Sequence, residues 1–215
     1  MQMLQIAIDG PAGSGKSTVA KEIAKRLNIT YLDTGAMYRA VTLAALTQGA
    51  DVHDADALKT VVDQIDLDIT QTQFFLSGKD VTDDIRTPFV TQNVSFVSMD
   101  AYVRHKMVEL QRKIASGKSV IMDGRDIGTV VLPKANYKFY LVADARERAK
   151  RRQLELEAKG HTVDLEALTQ DIIKRDQLDS GREVSPLKPA EDAIEIDTTF
   201  IGIEEVIQKI MSYIG

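Results

Sequence analysis

Cysteine is absent from the 215 residues. That excludes structural disulfides, a thiolate nucleophile and zinc held by sulfur, and it suits a reducing compartment. No apolar run approaches the ~20 residues that a membrane span needs. The N-terminus has no basic stretch before its apolar run, which Asp9 soon interrupts. A soluble cytoplasmic chain without membrane contact is therefore expected. Positive charge is in deficit, with a net charge of −5, whereas sequence-independent nucleic-acid binding requires a broad basic face. Nucleic acid is not an expected partner. The base-reading Asn-Lys-x-Asp segment of guanine-specific switch proteins does not occur, nor does any internal repeat or low-complexity linker.

What remains is enough to build a core. With 215 residues and 44% hydrophobic content the chain can bury one, as a single domain with insertions or as two small domains. Short apolar runs at 4–9, 30–33, 119–123, 138–142 and 193–197 alternate with helical periodicity. Strands separated by helices predict an α/β fold, a parallel sheet covered by helices on both faces. Helices are expected near 35–47, 54–64, 88–99, 101–116, 145–159 and 164–177, with a last one carrying the apolar stripe Ile203, Val206, Ile207, Ile210, Met211 and Ile214. The texture changes between them, where β-like pieces at 68–70, 73–76 and 79–82, with Ser77-Gly78 as a hairpin turn, predict a small antiparallel insert.

The densest signal follows the first strand. Gly10-Pro11-Ala12-Gly13-Ser14-Gly15-Lys16-Ser17 is a complete GxxxxGK[ST] phosphate loop, and Val19, Ala20, Ile23, Ala24 and Leu27 continue it at helical spacing. Backbone N–H groups of such a loop form an anion nest at a helix N-terminus. Lys16 can reach the β- and γ-phosphates of ATP, and Ser17 can offer its hydroxyl to the accompanying Mg²⁺. Val120-Ile-Met-Asp123 has the form of an apolar strand ending in a metal-facing carboxylate, although Asp also commonly ends strands for structural reasons. Both readings of Asp123 stand at this point. Charge is unevenly distributed: residues 51–84 hold nine Asp and two Lys, while 146–152 hold five cations around one Glu. Such a basic run is ordinarily a solvated helix face.

Arginine and aspartate recur together in Asp33-Thr-Gly-Ala-Met-Tyr-Arg39, Gly124-Arg-Asp-Ile-Gly128 and Arg175-Asp-Gln-Leu-Asp-Ser-Gly-Arg182. Arginine forks bind phosphate oxygens bidentately, as a second phosphorylated substrate requires. With the loop from Ile8 through Thr18, and with Asp80-Val-Thr82, Ile85-Arg86, Val94-Ser95, Val103-Arg104 and Pro186-Leu187, these segments resemble, essentially end to end, the bacterial cytidylate kinases, the CMP/dCMP branch of the nucleoside monophosphate kinases.

That resemblance implies a single P-loop kinase domain over 1–215, with an insert at 65–86 that enlarges the monophosphate region and a mobile helical lid at 145–162. Residues 10–18 would bind ATP, with Ser17 and Asp123 at Mg²⁺. CMP or dCMP would be held by Asp33, Thr34, Arg39, Ser95, Arg104, Arg125, Asp126, Arg175, Asp179 and Arg182. Within that set Ser95, Arg104 and Asp126 would surround cytosine, Arg39, Arg125 and Arg182 would hold phosphate, and Arg175 with Asp179 would lie near the ribose. An ionised Asp accepts from the cytosine amine while Arg and Ser donate to its ring side, an order that uracil reverses. Lys16, Arg125 and two lid arginines, Arg148 and Arg152, are the expected catalytic cations. Gly181, a departure from the family pattern, would give its loop extra freedom. No general base is needed, because the acceptor phosphate is already an oxyanion near neutral pH. His53, His105 and His161 read as surface or packing residues. Two other readings stay open: a kinase for another acceptor such as UMP, AMP or shikimate, and a P-loop module using nucleotide as a switch. Nothing in the sequence demands a dimer, and a monomer is expected.

Overall fold

The computed structural model describes residues 3–70, 73–158 and 160–215. Gln71 and Thr72, inside the expected insert, and Lys159, inside the expected lid, lie outside them. In chain order the elements are β1 (Gln5–Asp9), α1 (Lys16–Leu27), β2 (Thr30–Asp33), α2 (Thr34–Thr47), α3 (Ala55–Gln64), β3 (Leu67–Ile69), β4 (Phe74–Leu76), β5 (Lys79–Asp80), α4 (Pro88–Met99), α5 (Ala101–Ala115), β6 (Val120–Gly124), β7 (Tyr137–Val142), α6 (Ala145–Glu157), α7 (Leu165–Ser180), β8 (Ile194–Asp197) and α8 (Ile203–Ile214). The chain divides into two compact units, residues 1–31 with 118–215, and residues 32–117.

The first unit is built on parallel strands in the order β6–β1–β7–β8, with residues 30–31 of β2 extending the sheet beyond β6. Its strands are apolar along their whole length because both faces are buried, which removes the alternation of a one-sided sheet. Ile6, Ile8, Ile121, Phe139, Leu141 and Ile196 from the sheet meet Val19, Ala20 and Ile23 of α1 and Val206, Ile207 and Ile210 of α8 in one core. The apolar stripe of the C-terminal helix is thus accounted for. α6 and α7 pack against each other, and Asp144 and Asp164 cap their N-termini by accepting backbone N–H groups.

The second unit gathers α2 to α5 and the small sheet β3–β4–β5, whose pairings are antiparallel as expected. Ser77 and Gly78 both take positive φ, 49° and 76°, the conformation that a two-residue hairpin turn demands. Pro88 opens α4, where its missing N–H leaves no intrahelical bond unmade.

Two short pieces were not expected. A 3₁₀ turn spans Asp84–Arg86, and a π-helical turn spans Ile127–Val131. The ends of α7 also differ, because the helix runs to Ser180 rather than stopping at 177. No helix among the described residues is long and apolar enough to cross a membrane.

Candidate active site

In the first unit the phosphate loop joins the end of β1 to α1. Gly10 passes so close to β7 that a Cβ there would lie 2.1 Å from the Leu141 carbonyl oxygen, so only glycine fits. Lys16 begins the helix with its side chain turned into the loop, where Nζ donates to the Pro11 carbonyl at 2.5 Å and to Ser14 Oγ at 3.3 Å. Burial, reinforced by the Arg125 cation, pushes its pKa down to about 7, against the attraction of Asp123 and Asp9. The Asp123 and Asp9 carboxylates offset the burial of this cation only in part.

Asp123, near the end of β6, meets the phosphate loop through its carboxylate. Its Oδ2 accepts from Ser17 Oγ at 2.7 Å and its Oδ1 from the Tyr31 hydroxyl at 2.8 Å, with the residue 4% exposed. A hydroxyl and a carboxylate oxygen side by side at a phosphate loop are hard donors suited to Mg²⁺. That ion needs few protein ligands when phosphate and water supply the rest. No group of three or more His, Asp or Glu among the described residues could hold a metal by itself.

Arg125 follows the end of β6 and donates through Nε to Asp179 Oδ2 at 2.7 Å, while Arg182 binds the other oxygen of the same carboxylate. Burial works to raise the pKa of Asp179, but the Arg125, Arg182 and Arg175 cations outweigh it and hold the group below the ordinary carboxylate range. The structure therefore brings Arg125, Asp179 and Arg182 together, and Arg175 within electrostatic reach of both Asp179 and Lys16. Gly181 sits at the C-terminal end of α7. Its N–H closes α7 on the Gln177 carbonyl at 2.8 Å.

The two lid candidates separate. Arg148 is buried, donating to Ala143 O at 2.8 Å, to the phosphate-loop carbonyl of Ala12 at 2.9 Å and to Asp176 Oδ2 at 2.6 Å. Arg152 is 39% exposed in its side chain and pairs with Glu155 on its own helix.

In the second unit Asp33 caps α2 through the Ala36 N–H at 2.8 Å and pairs with Arg86 at 3.0 Å. Thr34 is buried beside it. Arg39 donates to Thr91 Oγ1 at 2.7 Å and to the Ile85 carbonyl at 3.3 Å. Arg104, only 2% exposed, donates to Ser98 O at 3.0 Å and lies 5.4 Å from the centroid of the Tyr38 ring. The Ser95 carbonyl accepts from Ser98 Oγ at 3.1 Å, one helical turn along α4.

Cytidylate kinase is the family whose model matches this chain, over residues 6–215. The chain belongs to the cytidylate kinase family. A cytidylate kinase from Bacillus cereus (strain ATCC 10987 / NRS 248) is 53% identical over 216 residues, covering 99% of this chain and 96% of that protein. One from Bacillus thuringiensis (strain Al Hakam) is 52% identical over the same shares. A shikimate kinase from Bacteroides thetaiotaomicron superposes with a TM-score of 0.52 over 99% of each chain at 13% identity, a likeness of fold. The α/β fold read from the alternating strands and helices is the one observed, a parallel sheet flanked by helices in the first unit and a small antiparallel sheet in the second, and the structural likeness is to a P-loop kinase.

Family membership also throws into relief what sequence reasoning missed. Tyr31 was read only as part of a strand, yet its hydroxyl holds Asp123. Thr198 is 2% exposed and donates to the Ser14 carbonyl at 3.2 Å, and Arg151 binds the Thr198 and Thr199 carbonyls behind the phosphate loop. Asp9 is 4% exposed and accepts from Ile127 and Gly128 N–H at 2.8 and 2.7 Å. Only the last carried a signal, a lone acid ending a largely apolar strand. Of the three histidines, His105 lies 3.2 Å from exposed Glu109, His53 meets the Phe96 ring tilted at 56° with centroids 4.4 Å apart, and His161 is exposed.

Proposed function

We propose that this chain transfers the γ-phosphoryl group of ATP to the 5′-phosphate of CMP, with dCMP as a second acceptor. The observation that carries the reading is the meeting of Ser17 with Asp123 directly beside Lys16. Adjacent parallel strands β1 and β6 deliver the phosphate loop and the Asp123-Gly-Arg125 segment to the same sheet end, where open α/β folds bind ligands.

Phosphoryl transfer between two anions calls for alignment and charge neutralisation rather than proton abstraction. Residues 10–18 hold the ATP phosphates, with Lys16 on the β- and γ-oxygens. Ser17 and Asp123 would hold Mg²⁺, which would supply charge neutralisation at the phosphoryl group being transferred. Arg39, Arg125 and Arg182 hold the acceptor phosphate, and Arg175 with Asp179 serves its ribose. Asp126 accepts from the cytosine amine while Ser95 and Arg104 donate to the ring, and Asp33 and Thr34 complete the acceptor set. Arg125 and Arg182 exchange part of their hold on Asp179 for phosphate oxygens, so substrate replaces an ion pair instead of desolvating bare cations. Arg148 serves from its place on the phosphate loop, and Arg152 is the lid arginine free to swing onto phosphate. Segments 65–86 and 145–162 act as the monophosphate insert and the lid, within one kinase domain working as a cytoplasmic monomer.

A coupled assay of ADP production over CMP, dCMP, UMP, AMP and GMP tests this. Turnover should depend on CMP or dCMP and be far slower with the others, and equal turnover with AMP removes the cytidine assignment.

A further inference from the structure

We infer that Asp9 is a positioning residue for the acceptor: its carboxylate, at the end of β1, holds the turn that presents Arg125 and Asp126. Asp9 stands immediately before the phosphate loop, yet its carboxylate accepts hydrogen bonds from another segment. Oδ1 accepts from the Ile127 N–H and Oδ2 from the Gly128 N–H, across 118 and 119 residues of chain.

These two donors open the π-helical turn. Val130 and Val131 donate to the Asp126 carbonyl at 2.8 and 3.2 Å, and Leu132 donates to the Ile127 carbonyl at 2.7 Å. The first N–H groups of any helical turn point out of it with no partner inside. Here both find one carboxylate on a different strand, whose two oxygens match two consecutive donors. A hydroxyl or amide could accept only one of them well.

Register makes the consequence specific. Asp9 pairs with Gly124 in the parallel ladder, so the chain is held by strand pairing at Gly124 and by the Asp9 carboxylate at Ile127 and Gly128. Only Arg125 and Asp126 lie between the two anchors. The turn is also wedged from the far side, since a Cβ on Gly128 would stand 3.2 Å from Lys138 Cδ and 3.3 Å from Asp9 Oδ2. Lys138 has no slack to give, with Nζ on Pro133 O at 2.7 Å and Asp192 Oδ1 at 2.8 Å. Burial pushes the Asp9 pKa up to about 7, while the Gly128 and Ile127 N–H groups favour the ionised carboxylate against that desolvation penalty. A strand end that served packing alone would be met by an apolar side chain without that penalty.

The inference rests on the reading of Arg125 and Asp126 as acceptor residues. Steady-state kinetics of the full chain carrying Asp9→Asn, Asp126→Asn or both, with CMP and ATP varied separately, test the two together. Asp9→Asn should raise KM for CMP roughly 10- to 100-fold through misplacement of the loop, while KM for ATP stays within about 2-fold of wild type. Adding Asp9→Asn to Asp126→Asn should cost far less than it does alone, because contacts that act through one loop are not additive. A KM for ATP that rises as much as that for CMP, full additivity, or an unchanged KM for CMP overturns the inference. Normal CMP kinetics in Asp126→Asn instead overturns the reading of the site, and the inference with it. If Asp9→Asn does not fold, Gly128→Ala carries the test: it keeps the carboxylate but crowds the clamp, and a normal KM for CMP in that variant overturns the proposal.

Discussion

The Ser17 hydroxyl donates to Asp123 Oδ2 at 2.7 Å across 106 residues of sequence, joining the last residue of the phosphate loop motif to the end of β6. Both groups are small, hard oxygen donors, and the second carboxylate oxygen is already taken by Tyr31. Asp123 is therefore oriented from two sides.

Asp123→Asn should sharply lower kcat and raise the Mg²⁺ concentration needed for half-maximal rate. Tyr31→Phe, which removes only the orienting hydroxyl, should raise that Mg²⁺ requirement by about 10-fold or more, in the range of outer-shell partners of metal ligands. Titration of activity with Mg²⁺ at saturating ATP and CMP distinguishes the two. An unchanged Mg²⁺ requirement in both variants would remove Asp123 from the metal.

Lys16→Ala should keep the far-UV circular dichroism of the wild type and lose about 10² to 10³ in kcat, the loss expected for one preorganised charged donor. The free variant should also melt no lower than wild type. Burial pushes the Lys16 ammonium down to about 7, so the folded chain without nucleotide gains little from carrying that charge. Wild-type turnover would remove Lys16 from catalysis.

Asp179→Asn should destabilise the protein by about 3 to 5 kcal/mol, because Arg125 and Arg182 then keep their burial without the carboxylate they share. At roughly 2 to 4 °C per kcal/mol for a chain of this size, differential scanning calorimetry resolves the loss easily. Glu155→Ala, which removes the exposed partner of Arg152, should leave the midpoint almost unchanged. Equal midpoints for both variants would show that the buried network is not what holds these side chains.

The stability of the free protein should depend on pH through Asp9. Its folded-state pKa is raised from 3.8 to about 7, so between those values the folded chain binds more protons than the unfolded one, and stability falls as pH rises through that window. Asp9→Asn cannot titrate there. The midpoint of wild type relative to this variant should decline from pH 4 to pH 7, as thermal melts at fixed ionic strength can measure. Asp179 acts with the opposite sign: its lowered pKa adds stability above the ordinary carboxylate range that is lost as pH falls through the folded value.

Most of the fold was legible because its signals are local. Helical periodicity in α1, α4 and α8, apolar runs in β6 and β7, and Ser77-Gly78 in the insert each report a conformation that neighbouring residues decide. The π-helical turn was not legible. Its conformation depends on a carboxylate more than a hundred residues away, and no propensity encodes that. α7 outran its expected end for a related reason, since Asp179 is held there by arginines that precede and follow it in the chain.

By itself the sequence determined the nucleotide loop, the alternation of strands and helices and, through motifs repeated in one order, the family. These are properties of spacing and residue type, and they survive without coordinates. Only the tertiary structure decided which partners each of the chemically equivalent acids and arginines meets. It put Asp123 on Ser17, sank Arg148 onto the phosphate loop while leaving Arg152 exposed, and turned Asp9 away from the loop it precedes. A carboxylate or guanidinium has the same formula at every position, and its role is set by burial and by partners that parallel strands bring together from distant parts of the chain.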